Sequence, residues 1–190
     1  MKGELYILGV LHRGNFHPYE IKRRLNQALI ECFTDVDVGT LYYAVRQLAQ
    51  RGLLAAVAHQ RVARGGMRTV YRITSRGRER FRELLHAQFA AEGDLREILY
   101  GPMLFLHFAD LKLVAEALRT QIDRQNARLA ELRRLRRQWQ AMLPTGSRHL
   151  MQHMEEQCRL DLRWLRAVLA DVEAGKIRDT PDSARLADKT

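Results

Sequence analysis

A mainly α-helical fold with one small β-hairpin is predicted for this 190-residue chain by three observations. Apolar residues recur at helical spacing over most of its length, two strand-like runs meet at the paired glycines Gly65 and Gly66, and turn residues separate the runs. A hydrophobic content of 46% is ample for a core, which sets disordered and fibrous classes aside. No segment approaches the ~20 apolar residues that span a bilayer, and the first residues lack the pattern of a secretory leader. A cytoplasmic protein with no membrane partner is therefore expected. Cys32 and Cys158 lie far apart with no paired spacing, against both a disulfide scaffold and a structural zinc site.

Each element has its own signature. Leu5, Leu8 and Leu11, with Ile7 and Val10 beside them, give a first helix that ends near Gly14. After the short connection Asn15-Phe16-His17, Pro18 suits the first turn of a second helix, where its missing N–H costs nothing. Glu20 and Arg24, four apart, make a favourable surface pair while Ile21, Leu25 and Leu29 point inward. Asp37 is placed to cap a third helix over 38–50. Its Leu41, Val45 and Leu48 stack on one side, and Gly39, Tyr43, Arg46, Gln47 and Gln50 face away. Gly52 reads as the residue just past its C-terminus. Strands over 54–62 and 67–73 follow, joined by residues 63–66, and a further helix over 78–89 carries Phe81, Leu84 and Leu85 on one side. Helix, helix, helix, hairpin is the order of a winged helix-turn-helix.

The second half reads differently. Beyond Gly93 and the Gly101-Pro102 pair, a long helical pattern runs from 110 to about 143. Positions seven apart form two rows: Leu111, Leu118, Gln125, Leu132 and Trp139, and Ala115, Ile122, Leu129, Arg136 and Leu143. Eight of these ten are apolar, as in a coiled-coil-like seam. Residues 144–147 break the pattern. A last helix over 148–174 presents Met151, Met154, Cys158, Leu162, Leu165, Leu169 and Val172 on one broad face, suited to folding back antiparallel. Two helices shield each other on one side only, so a second copy is expected to cover the rest, with Leu111, Leu118, Ile122, Leu129, Leu132, Trp139, Met154 and Leu165 in a dimer seam. The expected organisation is a winged helix-turn-helix domain over 1–82, connecting helices over 83–109, a helical dimerisation domain over 110–178 and an irregular tail over 179–190.

Charge is unevenly shared. Residues 1–82 hold 15 Lys/Arg against 6 Asp/Glu, net +9, whereas 83–190 hold 17 against 16, net +1. A positive field gathered on one small domain is the footprint of a polyanion binder, because neutralised phosphates release condensed counterions.

Four motifs, in order, sharpen this reading: Tyr19-Glu20-Ile21, Gly39-Thr40-Leu41-Tyr42, Arg51-Gly52-Leu53-Leu54 and Tyr71-Arg72-Ile73-Thr74-Ser75-Arg76-Gly77-Arg78. Together they resemble the PadR family of bacterial transcription regulators, closely over 1–82. The remainder is similar in length and helical pattern to the longer members with a C-terminal helical dimerisation domain. Two positions depart from the family's pattern: Tyr43 stands where proline is common, and Pro18 where glycine usually precedes the Tyr-Glu pair. Both are compatible with helix, and they are expected to alter the DNA contacts rather than the binding mode. The resemblance implies a homodimeric DNA-binding regulator, usually a repressor, whose third helix and wing contact an inverted-repeat operator in double-stranded DNA.

In a helix-turn-helix the outward face of the recognition helix meets base edges. Arg46 suits guanine and Gln47 adenine, while Thr40, Tyr42 and Tyr43 near the helix N-terminus suit phosphate. Tyr42 is equally placed to pack against the wing. Arg61, Arg64 and Arg68 of the wing suit the minor groove, and Lys22, Arg23 and Arg24 the flanking backbone. Phe105, Phe108, Trp139 and Trp164, with Met151 and Met154, are candidates for a pocket holding a small aromatic effector, although such residues more often form ordinary core. His149 and His153 have a metal-ligand spacing, but no second cluster, phosphate loop or nucleophile motif accompanies them, so neither an enzyme nor a cofactor is expected. Two rival readings are a helical adaptor that uses the winged domain to bind protein, opposed by the charge asymmetry, and a thiol redox sensor, opposed by the apolar settings of both cysteines.

Overall fold

The computed structural model describes residues 3–27, 38–61, 67–139 and 141–177. Among them run α1 (Glu4–Leu11), α2 (Pro18–Gln27), α3 (Val38–Gln50), β1 (Leu54–Arg61), β2 (Met67–Ile73), α4 (Ser75–Ala90), α5 (Leu95–Met103), a 3-10 turn at Leu106–Phe108, α6 (Leu111–Trp139) and α7 (Thr145–Glu173). The fold is thus mainly helical with one antiparallel hairpin, a winged helix followed by a helical region. The expected Asp37 cap, the hairpin turn over 63–66, Arg64, Leu29, Cys32 and the tail lie outside the described residues. The chain divides into two compact units between Ala109 and Asp110.

In the N-terminal unit α1 is the central helix. Leu5, Ile7, Leu8, Val10 and Leu11 are all buried, with Ile21 and Leu25 of α2, Leu41, Val45 and Leu48 of α3, and Phe81, Leu85 and Phe89 of α4. Its last helical residue is Leu11, short of the expected end near Gly14. The one acid in α1, Glu4, is buried and accepts from both terminal nitrogens of Arg51 at 3.0 and 3.1 Å and from Arg80 Nε at 3.2 Å. That carboxylate ties the first helix to the end of α3 and to α4. Burial by itself would raise its pKa, but the hydrogen bonds and charges of Arg51 and Arg80 outweigh it and hold the carboxyl below its ordinary value.

The exit from α3 is a Schellman motif. Gly52 N–H donates to Ala49 O and Leu53 N–H to Leu48 O, with Gly52 at φ 73°, a conformation open to glycine at little strain. Thr74 then locks this exit to α4: its hydroxyl donates to Gly52 O at 2.8 Å and accepts from Gly77 N–H at 3.0 Å. With Thr74 as N-cap the helix starts at Ser75, three residues before the expected start. Gly77 is required by packing, since a Cβ there would sit 2.1 Å from Leu53 O.

Residues 83–109, expected as connecting helices, contribute to the core of the N-terminal unit. Leu85, Phe89, Leu95, Leu99, Phe105 and Leu106 are buried, and α5 is capped by Asp94, which accepts from Arg96 N–H at 2.8 Å. This moves charge as well. Those residues carry one arginine and four acids, so the counts become 16 Lys/Arg against 10 Asp/Glu for 1–109, net +6, and 16 against 12 for 110–190, net +4. The sharp contrast drawn at residue 82 belongs to the wing and its supporting helices, not to the whole unit.

The C-terminal unit is an antiparallel pair. Arg166 donates to Asn126, Arg136 pairs with Glu155, and Arg119 pairs with Glu173. Asp110 caps α6 by accepting from Lys112 N–H at 2.9 Å. Leu129 and Leu132 of α6 pack with Cys158 and Leu162 of α7, flanked by Ile122 and Met154. The two polar exceptions in the heptad rows have partners across the pair: Cys158 Sγ donates to Gln125 Oε1 at 3.4 Å, and Arg136 Nε lies 2.7 Å from the buried Glu155 carboxylate, near enough for charge pairing although its N–H does not aim at the oxygen. Arg159 holds the other carboxylate oxygen at 2.8 Å. Leu118, Leu129, Leu132 and Leu165 are buried within the single chain, so a partner has no access to them; among the seam residues Trp139 is 43% exposed.

Candidate nucleic-acid interface

The interface is organised by a contact with no periodic signature. Phe16, read from the sequence as part of a plain connection, pairs with Tyr71 of β2 through two backbone hydrogen bonds of 3.0 Å and so adds a one-residue bridge to the hairpin. Arg24 stacks its guanidinium 4.1 Å above the Phe16 ring instead of pairing with Glu20, as its spacing had led us to expect. Glu20 is turned the other way. It accepts from His17 N–H at 3.1 Å, while His17 Nδ1 accepts from Tyr19 N–H at 3.1 Å. These are the two halves of a capping box at the start of α2, with an imidazole in the place of the usual hydroxyl.

The bridge and the cap bring α2, α3 and β2 together around a notch of about 140 Å³, lined by His17, Tyr42, Arg46, Thr69 and Tyr71 beside Pro18 and Val45. The Tyr42 ring stands edge-on to His17 at 5.8 Å and remains 37% exposed, so it borders the wing without being sealed against it. On α3, Leu41, Ala44, Val45 and Leu48 are buried while Thr40, Tyr42, Tyr43 and Arg46 are exposed and Gln47 is half-buried. The hairpin pairs Leu54 with Ile73 out to Arg61 with Met67, interrupted by an extra residue at Val57 between Ala56 and Ala58. Such a bulge bends a strand and increases its twist.

Some cations in this unit are committed to partners. Arg51 and Arg80 are committed to Glu4, and Arg24 to Phe16. Among the described residues no acidic partner lies within 4 Å of Lys22, Arg23, Arg46, Arg68 or Arg72 on α2, α3 and β2, nor of Arg76, Arg78 or Arg82 on α4.

The model of the PadR-like family of transcriptional regulators matches residues 7–83. Over those residues the chain is similar to that family. Solved structures similar to the chain include Bacillus subtilis PadR in complex with operator DNA, at 16% identity over 89% of this chain and 98% of that one, TM-score 0.44. A PadR-like transcriptional regulator from Bacillus cereus matches at 24% identity over 91% and 99%, TM-score 0.39. Bacillus subtilis PadR in complex with p-coumaric acid matches at 17% identity over 91% and 99%, TM-score 0.39. A search of curated protein sequences gave no match.

Within the matched residues the expected DNA-contacting side chains are not all in one place. Tyr42 and Arg46 border the notch, Thr40 and Tyr43 are exposed on α3, Lys22 and Arg23 lie on α2, and Arg68 is exposed on β2. Arg61 ends β1, and its side chain, like Arg64, lies outside the described residues. His17 was missed. Its signal was available only as a residue preceding Pro18 with Glu20 three places on, and histidine is an uncommon cap.

The expected effector residues fall in both units. Phe105 and Phe108 are in an aromatic nest of the N-terminal unit: Phe81 meets them edge-on at 5.6 and 5.9 Å, and the His12 ring lies 4.5 Å from Phe81 and 4.8 Å from Phe108. Trp139 and Trp164 belong to the helix pair. Because Arg136 faces Glu155, Trp139 lies near position 152 or so and about 18 Å from Trp164 along α7, at 1.5 Å per residue. Among the described residues no group of three or more His, Cys, Asp or Glu gathers as a metal site, and no helix is long and apolar enough to cross a membrane. Cys158 is buried, and desolvation raises its thiol pKa, ahead of an opposing effect of Arg128.

Proposed function

We infer that this chain is a cytoplasmic, homodimeric transcriptional regulator that binds double-stranded DNA, with α3 in the major groove and the wing beside it, and that it represses from an inverted-repeat operator. The observation that carries the reading is the sorting of charge in the PadR-like domain. Arg51 and Arg80, which brace the fold, are neutralised by Glu4, whereas Lys22, Arg23, Arg46, Arg68 and Arg72 have no acidic partner among the described residues and share α2, α3 and β2 with the exposed Thr40, Tyr42 and Tyr43. Cations kept unpaired around a recognition helix favour a polyanion, since each phosphate they neutralise releases counterions. The surface for a second copy is offered by the outward apolar residues Leu113, Trp139, Met142, Leu150 and Leu160 of the helix pair. A small aromatic effector would act by favouring one dimer spacing over another.

The test is a gel shift with the DNA immediately upstream of the protein's own coding sequence, at about 50 and about 200 mM salt. Retardation at the lower salt that weakens by about a thousandfold or more at the higher is expected. Absence of binding at low salt refutes the reading.

A further inference from the structure

Resting on the DNA-binding reading above, we propose that the notch between α2, α3 and β2 seats one phosphodiester of the DNA backbone, and that neutral His17 is its hydrogen-bond donor. The lining contains no carboxylate: it offers the imidazole, the Arg46 guanidinium and the hydroxyls of Tyr42, Thr69 and Tyr71. Such a set fits an anion, and the anion that a duplex brings alongside a recognition helix is a backbone phosphate.

The capping box fixes which nitrogen donates. Tyr19 N–H occupies Nδ1, so the neutral ring carries its proton on Nε2, and protonating Nδ1 would set two N–H groups against each other. No described residue takes up Nε2. The charged groups around the ring agree with a neutral state. Burial first, then Arg68 on β2, lower the His17 pKa against the opposing pull of Glu20 on its own helix, and Arg46 on α3 adds a further positive charge across the notch. Phe16, the preceding residue, is tied to β2 by its backbone bridge to Tyr71. His17 is therefore a donor that grips phosphate without displacing a counterion, unlike the arginines beside it.

The experiment uses the full chain and a fluorescein-labelled duplex of about 30 base pairs from its own upstream region, read by anisotropy. His17→Asn keeps the cap, because asparagine is a strong N-cap whose side-chain oxygen accepts from Tyr19 N–H, so the thermal midpoint is expected to hold. Affinity is expected to fall about tenfold. The log–log salt slope is expected to stay unchanged, and the loss to be equal from about pH 6.5 to about pH 8, whereas Arg46→Ala flattens the slope by about 0.9 for each contact removed. Replacing single phosphates by methylphosphonate is expected to find one position per half-site where His17→Asn loses less affinity than wild type does. His17→Ser, which caps equally, repeats the comparison should the asparagine variant melt early. Wild-type binding with an equal affinity for His17→Asn overturns the notch alone, as does a slope that falls or a loss that grows at acid pH. A wild-type chain that ignores the duplex overturns the DNA reading and the notch with it.

Discussion

His12 is the residue at which acid is first felt. Its Nδ1 accepts from Arg78 at 3.2 Å, its Nε2 is buried without a partner, and desolvation, then Arg78, Arg82 and His107, push its pKa down from 6.5 to about 4. A base with a depressed folded pKa binds fewer protons than the unfolded chain in that interval, so its stabilising effect is complete above pH 6.5 and is lost as pH falls toward 4. Discounted for the part of the ring that water reaches, the loss is about 1–2 kcal/mol, visible in urea unfolding at successive pH values, and His12→Gln should flatten that part of the profile. Glu4 acts in a lower window. Its carboxyl is held below the ordinary 4.5, so its contribution is present above that value and disappears as pH falls through the folded pKa; Glu4→Gln should destabilise by about 1–2 kcal/mol near neutrality and by progressively less below pH 4.5. Neither role was legible in the sequence. An acid in an apolar stripe gives no hint that its partners stand 47 and 76 residues away, and a histidine ending a helix gives none that Phe81 and Phe108 enclose it.

At the scale of elements, what repeats could be read and what happens once could not. The inward Leu41, Val45 and Leu48, the Gly52 exit and the two strands follow from period and turn chemistry, and the structure has them. The Phe16–Tyr71 bridge and the Val57 bulge are single events that no period announces, and the first of these is what builds the notch. Gly77 gives a test with an unusual sign. Glycine to alanine in an exposed helix ordinarily stabilises by about 1 kcal/mol, but here the new Cβ meets the Leu53 carbonyl, so Gly77→Ala should destabilise by about 1–3 kcal/mol in thermal unfolding. The helix pair offers a second asymmetry. Glu155 is buried while Arg136 and Arg159 are 45% and 39% exposed. Glu155→Met frees two side chains that can swing into water and should change stability by less than about 1 kcal/mol. Changing both arginines to Met strands a buried carboxylate and should destabilise by about 3 kcal/mol. Equal losses in urea denaturation would show that the pair, not the burial of one charge, sets the energy.

For the whole molecule the decisive quantity is how many cations meet DNA at once. Lys22, Arg23, Arg46 and Arg68 are four of the described cations without an acidic partner on α2, α3 and β2, and a dimer would present them twice. If all eight neutralise phosphates, the logarithm of the binding constant should fall with the logarithm of salt at a slope near −7, against about −3.5 for a lone protomer. The slope thus reports stoichiometry as well as contact. Anisotropy titrations at several salt concentrations, read beside the mass of the complex from light scattering, separate the cases: a steep slope with two chains per duplex agrees with paired recognition helices, and a shallow slope with one chain removes the dimer from the proposal while leaving the face intact. Changing Met142 and Leu150 to Asp bears on the same point from the helix pair. These residues are 74% and 59% exposed, so folding should tolerate the charges, whereas a chain–chain contact at that surface would be lost and the slope should drop toward the single-protomer value. The seam leucines cannot serve in that test, because they are buried within one chain and their replacement would unfold the helix pair whether or not a partner exists.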